Sequence, residues 1–491
     1  MTALPLSNAT LGQLPEEIAR PTYDRSALTP GIVHIGLGNF HRAHQSWYLH
    51  RLMQQGLAQD WAIIGAGVRP YDAAMRDRLL AQDCLTTLIE LSPDSARAEV
   101  VGAMVDYLPI EADNGALIAA LSRPEIRIVA LTVTEGGYYQ DAVSGGFAAD
   151  HPDMQHDILH PASPRTAFGA IAAALAHRRA AGHGPITVQS CDNLQGNGTI
   201  TRQTVLGLAR ATDADLADWI DAQCSFPNSM VDCIVPATGP AEIARAASLG
   251  IADSAPVTHE PYRQWVTEDD FCAGRPDWDK VGAIFTDAVH EYETMKIRIL
   301  NAGHQVIANA GELLSCATIA DCMQDADISA LFHKVQTEEI APYVKAVPGI
   351  APAQYVSLIA ERFSNPAIRD TTRRVAFDGS SRHTGFILPI LREALSAGGS
   401  LDGLALVEAL WARMCAGTRE DGSAIEANDP RWDELAVIAR ATRDDPRSWL
   451  LQTGFYGSVS TEPRFVERFD VWLRMIWTQG VRAALQSYGR P

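Results

Sequence analysis

Short apolar runs alternate with helix-like segments in the first half of the chain. Four of these runs predict buried strands: residues 31–35, 61–65, 126–134 and 186–190. Between the last two, the apolar spacing predicts a helix over Ala167–Arg179. Buried strands separated by helices are typical of a parallel sheet wound on both faces. The pattern therefore predicts an α/β domain with a doubly wound parallel sheet over residues 1–287.

The pattern changes after residue 287. Apolar residues then recur at helical spacing, as in residues 331–344, 386–395 and 404–414. This predicts a mostly α-helical domain over residues 288–491. Because no Pro/Gly-rich linker separates the halves, we expect the two domains to pack closely around one cleft.

Charge and composition exclude several classes of function. The chain has 491 residues and a formal net charge of −19, which argues against nucleic acid or an anionic membrane as a partner. Its first residues lack the basic start and apolar run of a signal peptide, and no run approaches the roughly 18 apolar residues of a membrane span. We therefore expect a cytoplasmic protein, and the sequence gives no sign of an obligate protein partner.

The cysteines and histidines do not form a metal-binding motif. None of the eight cysteines forms a C-x-x-C pair, and scattered thiols of this kind predict reduced core residues. His41 and His44 are close in sequence, but no HExxH motif or grouped Cys/His spacing accompanies them. We expect neither a structural nor a catalytic metal.

A glycine turn follows the first predicted strand. Gly36-Leu-Gly38-Asn39-Phe40 can form a tight turn at a helix start, where the backbone can approach a pyrophosphate. The third glycine of the dinucleotide motif is replaced by His41, and a Gly-x-Gly turn is also common in purely structural roles. The interpretation we favour is a Rossmann-like domain that binds a dinucleotide at this turn.

Two charged residues lie beyond the second predicted strand, where such a domain contacts the adenosine ribose. An acidic group there accepts hydrogen bonds from the ribose hydroxyls, whereas an arginine binds a 2′-phosphate. The sequence offers both, as Asp72 and Arg69. We favour NAD through Asp72, with the alternative that Asp72 caps a helix beginning at Ala73.

Three polar side chains recur within one apolar helical segment of the second half. At about 100 degrees per residue, Lys296, Asn301 and His304 fall within roughly 140 degrees of arc on an α-helix. An uncharged lysine there can take a proton from an alcohol while the amide stabilises the oxyanion. To do so, its pKa must fall from about 10.4 toward neutrality. Taken alone, a solvent-exposed lysine and a packed histidine are the commoner arrangement.

Polar groups also follow two predicted strands of the first half. Asn193 comes after the strand that ends at Ser190 and can donate its amide to a carbonyl oxygen. Glu135 follows the strand over residues 126–134 on a glycine-rich loop, where it can relay protons. The alternative is that both residues bind only local backbone.

Several ordered motifs together resemble one family, the polyol-specific long-chain dehydrogenases, over essentially the whole chain. They are GLGNFHRAH at 36–44, TEGGY at 134–138, SCDN at 190–193, FPNSMVD at 226–232, KIRILNAGH at 296–304 and RVAFDGSSR at 374–382. The resemblance implies metal-independent, NAD-linked oxidation of a polyol to a ketose, such as mannitol to fructose. It implies Lys296 as general base, Asn193 and Asn301 as oxyanion donors, His304 as a ligand of substrate hydroxyls and Glu135 as a proton gate.

The resemblance also assigns residues to the substrate chain. Asp232 and Arg374 match residues that hold the polyol. Arg382 stands where a lysine is common, which keeps the charge but changes the hydrogen-bond geometry. Mannitol, arabinitol and glucitol therefore remain alternative substrates.

Three alternatives have their own sequence signals. Tyr292 and Lys296 spell the Y-x-x-x-K pair of short-chain dehydrogenases, although those enzymes are about half this length, and we expect Tyr292 to be a packed aromatic. Arg374 with Arg382 could instead bind the carboxylate of a sugar acid, as in the hexuronate (fructuronate or tagaturonate) reductases of the same family. A non-catalytic NAD-sensing module is the third alternative, but it has no use for the Lys, Asn and His cluster.

Overall fold

Strands and helices separate along the chain. The computed structural model describes residues 3–141 and 145–489, except the side chain of Thr453. The chain divides into two units, Met1–His290 and Glu291–Pro491. In the described residues all named strands lie in the first unit, and the second is built from helices. The predicted combination of an α/β part and a mostly helical part is confirmed.

A five-stranded parallel sheet forms the centre of the first unit. The strands of this unit are β1 (Leu4–Pro5), β2 (Pro30–Ile35), β3 (Ala62–Ala66), β4 (Thr86–Ser92), β5 (Ser95–Val101), β6 (Met104–Tyr107), β7 (Ile128–Leu131), β8 (Thr187–Ser190), β9 (Ser229–Asp232), β10 (Ile251–Ala252), β11 (Val257–His259), β12 (Gln264–Thr267) and β13 (Ile284–Phe285). The large sheet has the order β6-β3-β2-β7-β8, with every pair parallel. This is the strand order of a Rossmann fold, and it reverses between β2 and β7, where such folds bind their ligands.

Helices cover both faces of this sheet. They are α1 (Asn39–Ala43), α2 (Gln45–Gln54), α3 (Asp72–Leu80), α4 (Gly115–Leu121), α5 (Pro152–Leu159), α6 (Ala167–Ala181), α7 (Asn197–Thr212), α8 (Ala214–Gln223) and α9 (Pro240–Ser248). Along β2, Val33 and Ile35 pack into one core with α4, α6 and α7, while Ile32 packs into another with α2. Alternate side chains of a strand point to opposite faces. The strands are apolar throughout because both faces are buried.

The structure corrects the prediction for the strand over residues 126–134. Only Ile128–Leu131 form β7. Beyond it, Thr134 has φ of +66°, which is uncommon for a residue with a β-branched side chain. The backbone therefore leaves the sheet before the last residues of the apolar run.

Three smaller sheets were not predicted. Their strand orders are β1-β10, β11-β4-β5 and β13-β12-β9. The longest pairing among them is the β4–β5 hairpin, whose register closes at Ser92 opposite Ser95. Pro93 and Asp94 at its turn are a turn signal that could have revealed the hairpin from sequence.

Helices make up the second unit, and three of its segments are π-helical. The α-helices from the unit boundary onward are α10 (Val289–Met295), α11 (Ala302–Leu313), α12 (Ile319–Gln324), α13 (Ala326–Val335), α14 (Pro352–Phe363), α15 (Thr372–Ala376), α16 (Gly379–Arg382), α17 (Leu388–Ala397), α18 (Asp402–Met414), α19 (Trp432–Ala441), α20 (Thr453–Tyr456), α21 (Pro463–Gln479) and α22 (Val481–Gly489). The π-helical segments are Lys296–Asn301, Gln336–Ile340 and His383–Ile387. Such segments often occur at functional sites.

The predicted helical run over residues 331–344 is not one α-helix. The α-helix α13 ends at Val335, and the chain continues as the π-helical Gln336–Ile340 and a 3₁₀ turn over Ala341–Tyr343. Pro342 in that turn has no backbone N–H, so the α-helical ladder cannot continue through it.

The cysteines differ partly from expectation. All eight are free thiols, and five of them are buried. Cys272 is exposed, so the prediction that all are core residues is wrong for it.

Among the described residues, no helix combines the length and the apolar character that crossing a membrane requires.

Candidate functional site

The glycine turn after β2 has the geometry that its sequence predicts. Gly36 has φ of +88°, and a Cβ built on it would lie 2.1 Å from the backbone oxygen of Thr132. Only glycine fits there, because a side chain would collide with backbone. A Cβ on Gly38, by contrast, would meet nothing within 4 Å. The space above Gly38 is therefore open to a ligand that approaches the backbone.

Residues Asn39 to His41 build the short helix α1 that follows the turn. The Asn39 amide donates to the oxygens of Pro236 and Thr238, both at 2.9 Å, so its side chain holds a neighbouring loop. Phe40 stacks on His44 with ring centroids 4.8 Å apart. A cofactor contact by Asn39 would then use its backbone, because its amide is occupied.

His41 replaces the third glycine of the dinucleotide motif for a packing reason. Its ring is buried and stacks on His34, with centroids 3.4 Å apart and planes inclined by 20°. Burial lowers the pKa of His41 to about 3, so the ring is neutral at neutral pH. The imidazole is therefore part of the core beneath the turn, where a glycine would leave a gap.

Asp72 closes the turn that follows β3. Its Oδ2 accepts hydrogen bonds from the backbone N–H groups of Val68 and Arg69, at 3.1 and 3.0 Å. The helix α3 begins at Asp72 itself, with Tyr71 as the N-cap residue, so the capping interpretation is wrong. The guanidinium of Arg69 donates to the hydroxyl of Tyr139 at 3.2 Å. The structure thus gives Asp72 a loop-forming role, and its contact with a ribose remains a prediction.

A cleft opens beside α1 on the first unit. Its volume is about 420 Å³, and Asn39, Met75, Arg78 and Pro236 are among the residues that line it. This volume lies within the usual range of small-molecule sites. Arg78 brings a cation to the cleft, and the sequence analysis did not identify it.

Glu135 and Asn193 follow neighbouring strands of the large sheet. Leu131 at the end of β7 pairs with Ser190 at the end of β8, so the two loops leave the same edge of the sheet side by side. Glu135 opens the 3₁₀ turn Glu135–Tyr138, and both Glu135 and Asn193 are exposed. This is the edge at which open α/β sheets bind ligands.

Asp192 joins these two loops. Its carboxylate accepts from the backbone N–H groups of Val133 and Thr134, at 2.8 and 3.2 Å, and from the Tyr138 hydroxyl at 2.7 Å. Burial raises the pKa of Asp192 to about 6. The contact holds the loop that carries Glu135 against the residue before Asn193. Asp192 lies within the SCDN motif, but no sequence pattern indicates this role.

Asp232 belongs to one of the smaller sheets. It is the last residue of β9 and pairs across strands with Gln264 in the sheet β13-β12-β9. Its side chain is buried. A buried carboxylate at a strand end can accept hydrogen bonds from hydroxyl groups, as its predicted role requires.

Lys296 and Asn301 lie on a π-helical segment, which corrects the α-helical geometry expected from sequence. In an i→i+5 helix, residues five apart take the positions that residues four apart hold in an α-helix. Lys296 and Asn301 are five apart, so the π segment brings them onto one face, whereas an α-helix would separate them by about 140 degrees. Both side chains are buried, each 8 % exposed.

Two further residues, Gln336 and Gly303, pack together at this π-helical segment. The amide of Gln336 donates to the backbone oxygen of Ile299 at 2.9 Å, within the wider helix. A Cβ on Gly303 would lie 2.8 Å from that amide nitrogen. Glycine at 303 therefore allows the close approach of Gln336, whose amide adds a hydrogen bond to a carbonyl that also accepts from the N–H of Ala302.

His304, Arg374 and Arg382 come together in the second unit. Arg382 and Gln305, the neighbour of His304, both donate to the backbone oxygen of Val375, at 2.9 and 3.2 Å. The His304 ring stacks on Phe363, with centroids 4.2 Å apart, and burial lowers its pKa to about 3. Its Nε2 is buried and has no hydrogen-bond partner among the described residues.

The predicted residues thus form two groups, one in each unit. The first unit holds the glycine turn, Arg69, Asp72, Glu135, Asn193 and Asp232; the second holds Lys296, Asn301, His304, Arg374 and Arg382. Tyr292 is buried, and its hydroxyl donates to the backbone oxygen of Pro348 at 3.3 Å, which confirms a packed aromatic. In the described residues, no three His, Cys, Asp or Glu side chains are placed to hold a metal.

Comparisons with known proteins agree along the whole chain. A family model described as the mannitol dehydrogenase Rossmann domain matches residues 30–280, and one described as the mannitol dehydrogenase C-terminal domain matches residues 288–477. Mannitol 2-dehydrogenase of Cereibacter sphaeroides is 55 % identical over 471 residues, which cover 96 % of this chain and 98 % of that protein.

Two solved structures are similar in both sequence and fold. One is Pseudomonas fluorescens mannitol 2-dehydrogenase in a ternary complex with NAD and D-mannitol, with a TM-score of 0.90, 40 % identity and 99 % of each chain covered. The other is a D-sorbitol dehydrogenase in substrate-free form, with a TM-score of 0.90, 36 % identity and coverage of 98 % of this chain and 100 % of that one.

Proposed function

The chain belongs to the mannitol dehydrogenase family, and from this membership we propose that it oxidises D-mannitol to fructose, reversibly, with NAD. The observation that carries the proposal is the π-helical face of Lys296 and Asn301, followed by the open Nε2 of His304. A buried amine, an amide and an imidazole suit the removal of a proton from an alcohol. The related structure with bound NAD and D-mannitol supports both the cofactor and the substrate class.

In the proposed reaction, Lys296 takes the proton of the secondary hydroxyl group. The amides of Asn193 and Asn301 donate hydrogen bonds to the oxygen as negative charge develops on it. When bound, NAD accepts a hydride from the carbon that carries this hydroxyl group, so the alcohol becomes a ketone and NADH forms. Glu135, exposed on its loop, then passes the proton from the site to water.

We assign the substrate and cofactor contacts from the same two groups of residues. His304, Asp232, Arg374 and Arg382 hold the hydroxyl groups of the polyol chain. The backbone at Gly36, Gly38, Asn39 and Phe40 takes the pyrophosphate of NAD, and Asp72 with Arg69 contacts the adenosine ribose. The cleft lined by Asn39 and Arg78 is large enough for part of the dinucleotide, and its arginine favours a phosphate.

We further assign the cofactor to residues 1–287 and the general base to residues 288–491. The cytoplasm is the compartment we propose, because its reducing conditions keep thiols such as the exposed Cys272 free. A second candidate substrate is D-sorbitol (glucitol), because a D-sorbitol dehydrogenase has the same TM-score as the mannitol enzyme.

A polyol panel tests the proposal. Mannitol, arabinitol and glucitol are each assayed with NAD and with NADP by absorbance at 340 nm. We expect the fastest NADH formation with mannitol and NAD. No absorbance change with any polyol would instead support a protein that binds NAD without catalysis.

A further inference from the structure

The carboxylate of Asp370 holds Arg374 through two hydrogen bonds. Nε of the arginine donates to Oδ1 and Nη2 donates to Oδ2, both at 2.7 Å. The Asp370 side chain is 5 % exposed, whereas that of Arg374 is 60 % exposed. The backbone oxygen of Asp370 also accepts from the N–H of Ile319 at 2.9 Å. A fixed, buried carboxylate therefore orients an arginine that otherwise extends toward solvent.

The same carboxylate lies beside His304. Its Oδ2 is 3.8 Å from the Nε2 of that ring, the atom that has no hydrogen-bond partner among the described residues. Burial lowers the pKa of His304 to about 3, so the ring carries no charge at neutral pH. The negative charge of Asp370 is thus balanced by Arg374 and not by an imidazolium.

Arginines also act on the His304 ring. The charged groups with the largest effect on this ring are Asp370 and three arginines, Arg374, Arg382 and Arg362. Arginines grouped in this way are typical of sites that bind carboxylates, because the planar guanidinium forms two parallel hydrogen bonds to a carboxylate. Asp370 already occupies the Nε–Nη2 edge of Arg374 with such a pair.

We propose that Asp370 is a specificity-determining residue that makes the site accept neutral polyols and ketoses and reject sugar acids. A substrate carboxylate at Arg374 would have to lie close to the Asp370 carboxylate, and like charges at that range repel each other. A hydroxyl group carries no charge and meets no such repulsion. The inference rests on the proposed oxidation of a polyol by this chain.

The test compares a neutral ketose with its acid counterpart in the full-length enzyme. Wild type and Asp370→Asn are assayed for NADH consumption with fructose and with fructuronate. We expect wild type to prefer fructose, and the ratio of kcat/KM for fructuronate over fructose to rise about 10-fold or more in Asp370→Asn. An unchanged ratio in a folded variant overturns the inference.

Two further variants separate charge from a purely structural effect. Asp470 makes the same two-bond, i,i+4 contact with Arg474 on the exposed face of α21. Asp470→Asn is therefore a matched control, and we expect its ratio of kcat/KM for fructuronate over fructose to equal that of wild type. In the double variant Asp370→Asn/Arg374→Gln, the gain with fructuronate should disappear, because the freed arginine is absent. A gain that persists in the double variant contradicts the role assigned to Arg374.

A measurement on wild type alone covers the case in which Asp370→Asn does not fold. Gluconate should inhibit fructose reduction at least about 10-fold more weakly than glucitol does. Equal or stronger inhibition by the acid overturns the inference. If wild type reduces neither fructose nor fructuronate, the proposed function itself is wrong, which is a different outcome from an unchanged ratio.

Discussion

Two π-helical segments of the second unit carry polar side chains with opposite hydrogen-bonding states. Lys296–Asn301 leads into α11 and His304, and His383–Ile387 begins with another buried histidine. Each histidine has a nearby carboxylate, Asp370 for His304 and Glu408 for His383. Each pair consists of a histidine and a carboxylate, and the two pairs differ in whether the histidine nitrogens have hydrogen-bond partners.

The His383 pair is complete. Its Nδ1 lies 2.8 Å from Glu408 and its Nε2 lies 3.0 Å from the amide of Asn309. The second oxygen of Glu408 accepts from the Tyr456 hydroxyl at 2.7 Å, and that hydroxyl accepts from the indole N–H of Trp449. The side chains of His383 and Glu408 are fully buried. Both ring nitrogens of His383 and both oxygens of Glu408 are thus satisfied, and we expect the effect of this network to be on stability.

The His304–Asp370 pair, by contrast, is not hydrogen-bonded. Its Nε2 is buried without a hydrogen-bond partner in the described part of the chain and lies 3.8 Å from Asp370. Buried polar atoms are rarely left unsatisfied, so this one calls for a ligand or a water molecule. The comparison teaches that π-helical geometry alone does not identify a site.

The largest expected effect is a loss of turnover when the proposed base, Lys296, is removed. Lys296→Ala removes the general base, so turnover with mannitol and NAD should fall about 10²- to 10⁴-fold. NADH binding, followed by fluorescence, and the melting temperature should stay close to those of wild type. Lys345→Ala is the matched control, because that lysine is 83 % exposed in the same unit. Near-normal turnover in Lys296→Ala would refute the base role.

The next prediction concerns stability and the hydrogen-bond network of His383 and Glu408. Glu408→Ala leaves the buried His383 Nδ1 and the Tyr456 hydroxyl without their acceptor, and each unsatisfied group costs about 1–3 kcal/mol. Denaturant-induced unfolding of the variant and of wild type measures this loss in the free energy of unfolding of the second unit. Glu434→Ala, which breaks the exposed pair with Arg431, should cost less than about 1 kcal/mol. Equal costs for the two variants would remove the distinction between a structural and a surface pair.

A smaller effect is expected from the open histidine. His304→Ala should lower kcat/KM for mannitol by the loss of a hydrogen bond to substrate, about 1–3 kcal/mol or roughly 5- to 150-fold. Its unfolding free energy should change little compared with that of Glu408→Ala. If His304→Ala instead unfolds the unit and the folded fraction has normal kcat/KM, His304 belongs with the structural pair.

The smallest effect is expected at Tyr292. Its hydroxyl makes one hydrogen bond, to Pro348, so Tyr292→Phe should cost about 0.5–1.5 kcal/mol of stability and leave turnover unchanged. The result distinguishes two mechanisms, since a short-chain dehydrogenase needs this hydroxyl as its acid. Loss of turnover in a folded Tyr292→Phe would favour that mechanism.

The parts of the fold that follow local rules were predictable. The apolar runs located β2, β3 and β8, and the Gly36 turn followed from its glycine spacing. The β4–β5 hairpin was less predictable in spite of its Pro-Asp turn, because Arg97 and Glu99 interrupt the apolar pattern of its second strand.

The parts that depend on distant contacts were not predictable from periodicity. The π segment at Lys296–Asn301 is contacted by Gln336, 37 positions from the Ile299 carbonyl that it binds. Asp192 and Asp370 act by holding other residues, and a carboxylate near a motif has no sequence pattern that reveals this. The i,i+4 spacing of Asp370 and Arg374 was a usable signal, but such spacing is common on helices.

The central claim is that the Lys296 amine removes the proton of the alcohol, and chemical rescue tests it most directly. Lys296→Ala is assayed at 340 nm with mannitol and NAD while methylamine or ethylamine is added at alkaline pH. The account predicts NADH formation that rises in proportion to the free amine concentration, since a small base can occupy the space of the missing side chain. Unrestored turnover at every amine concentration, in a variant that still binds NADH, would contradict it.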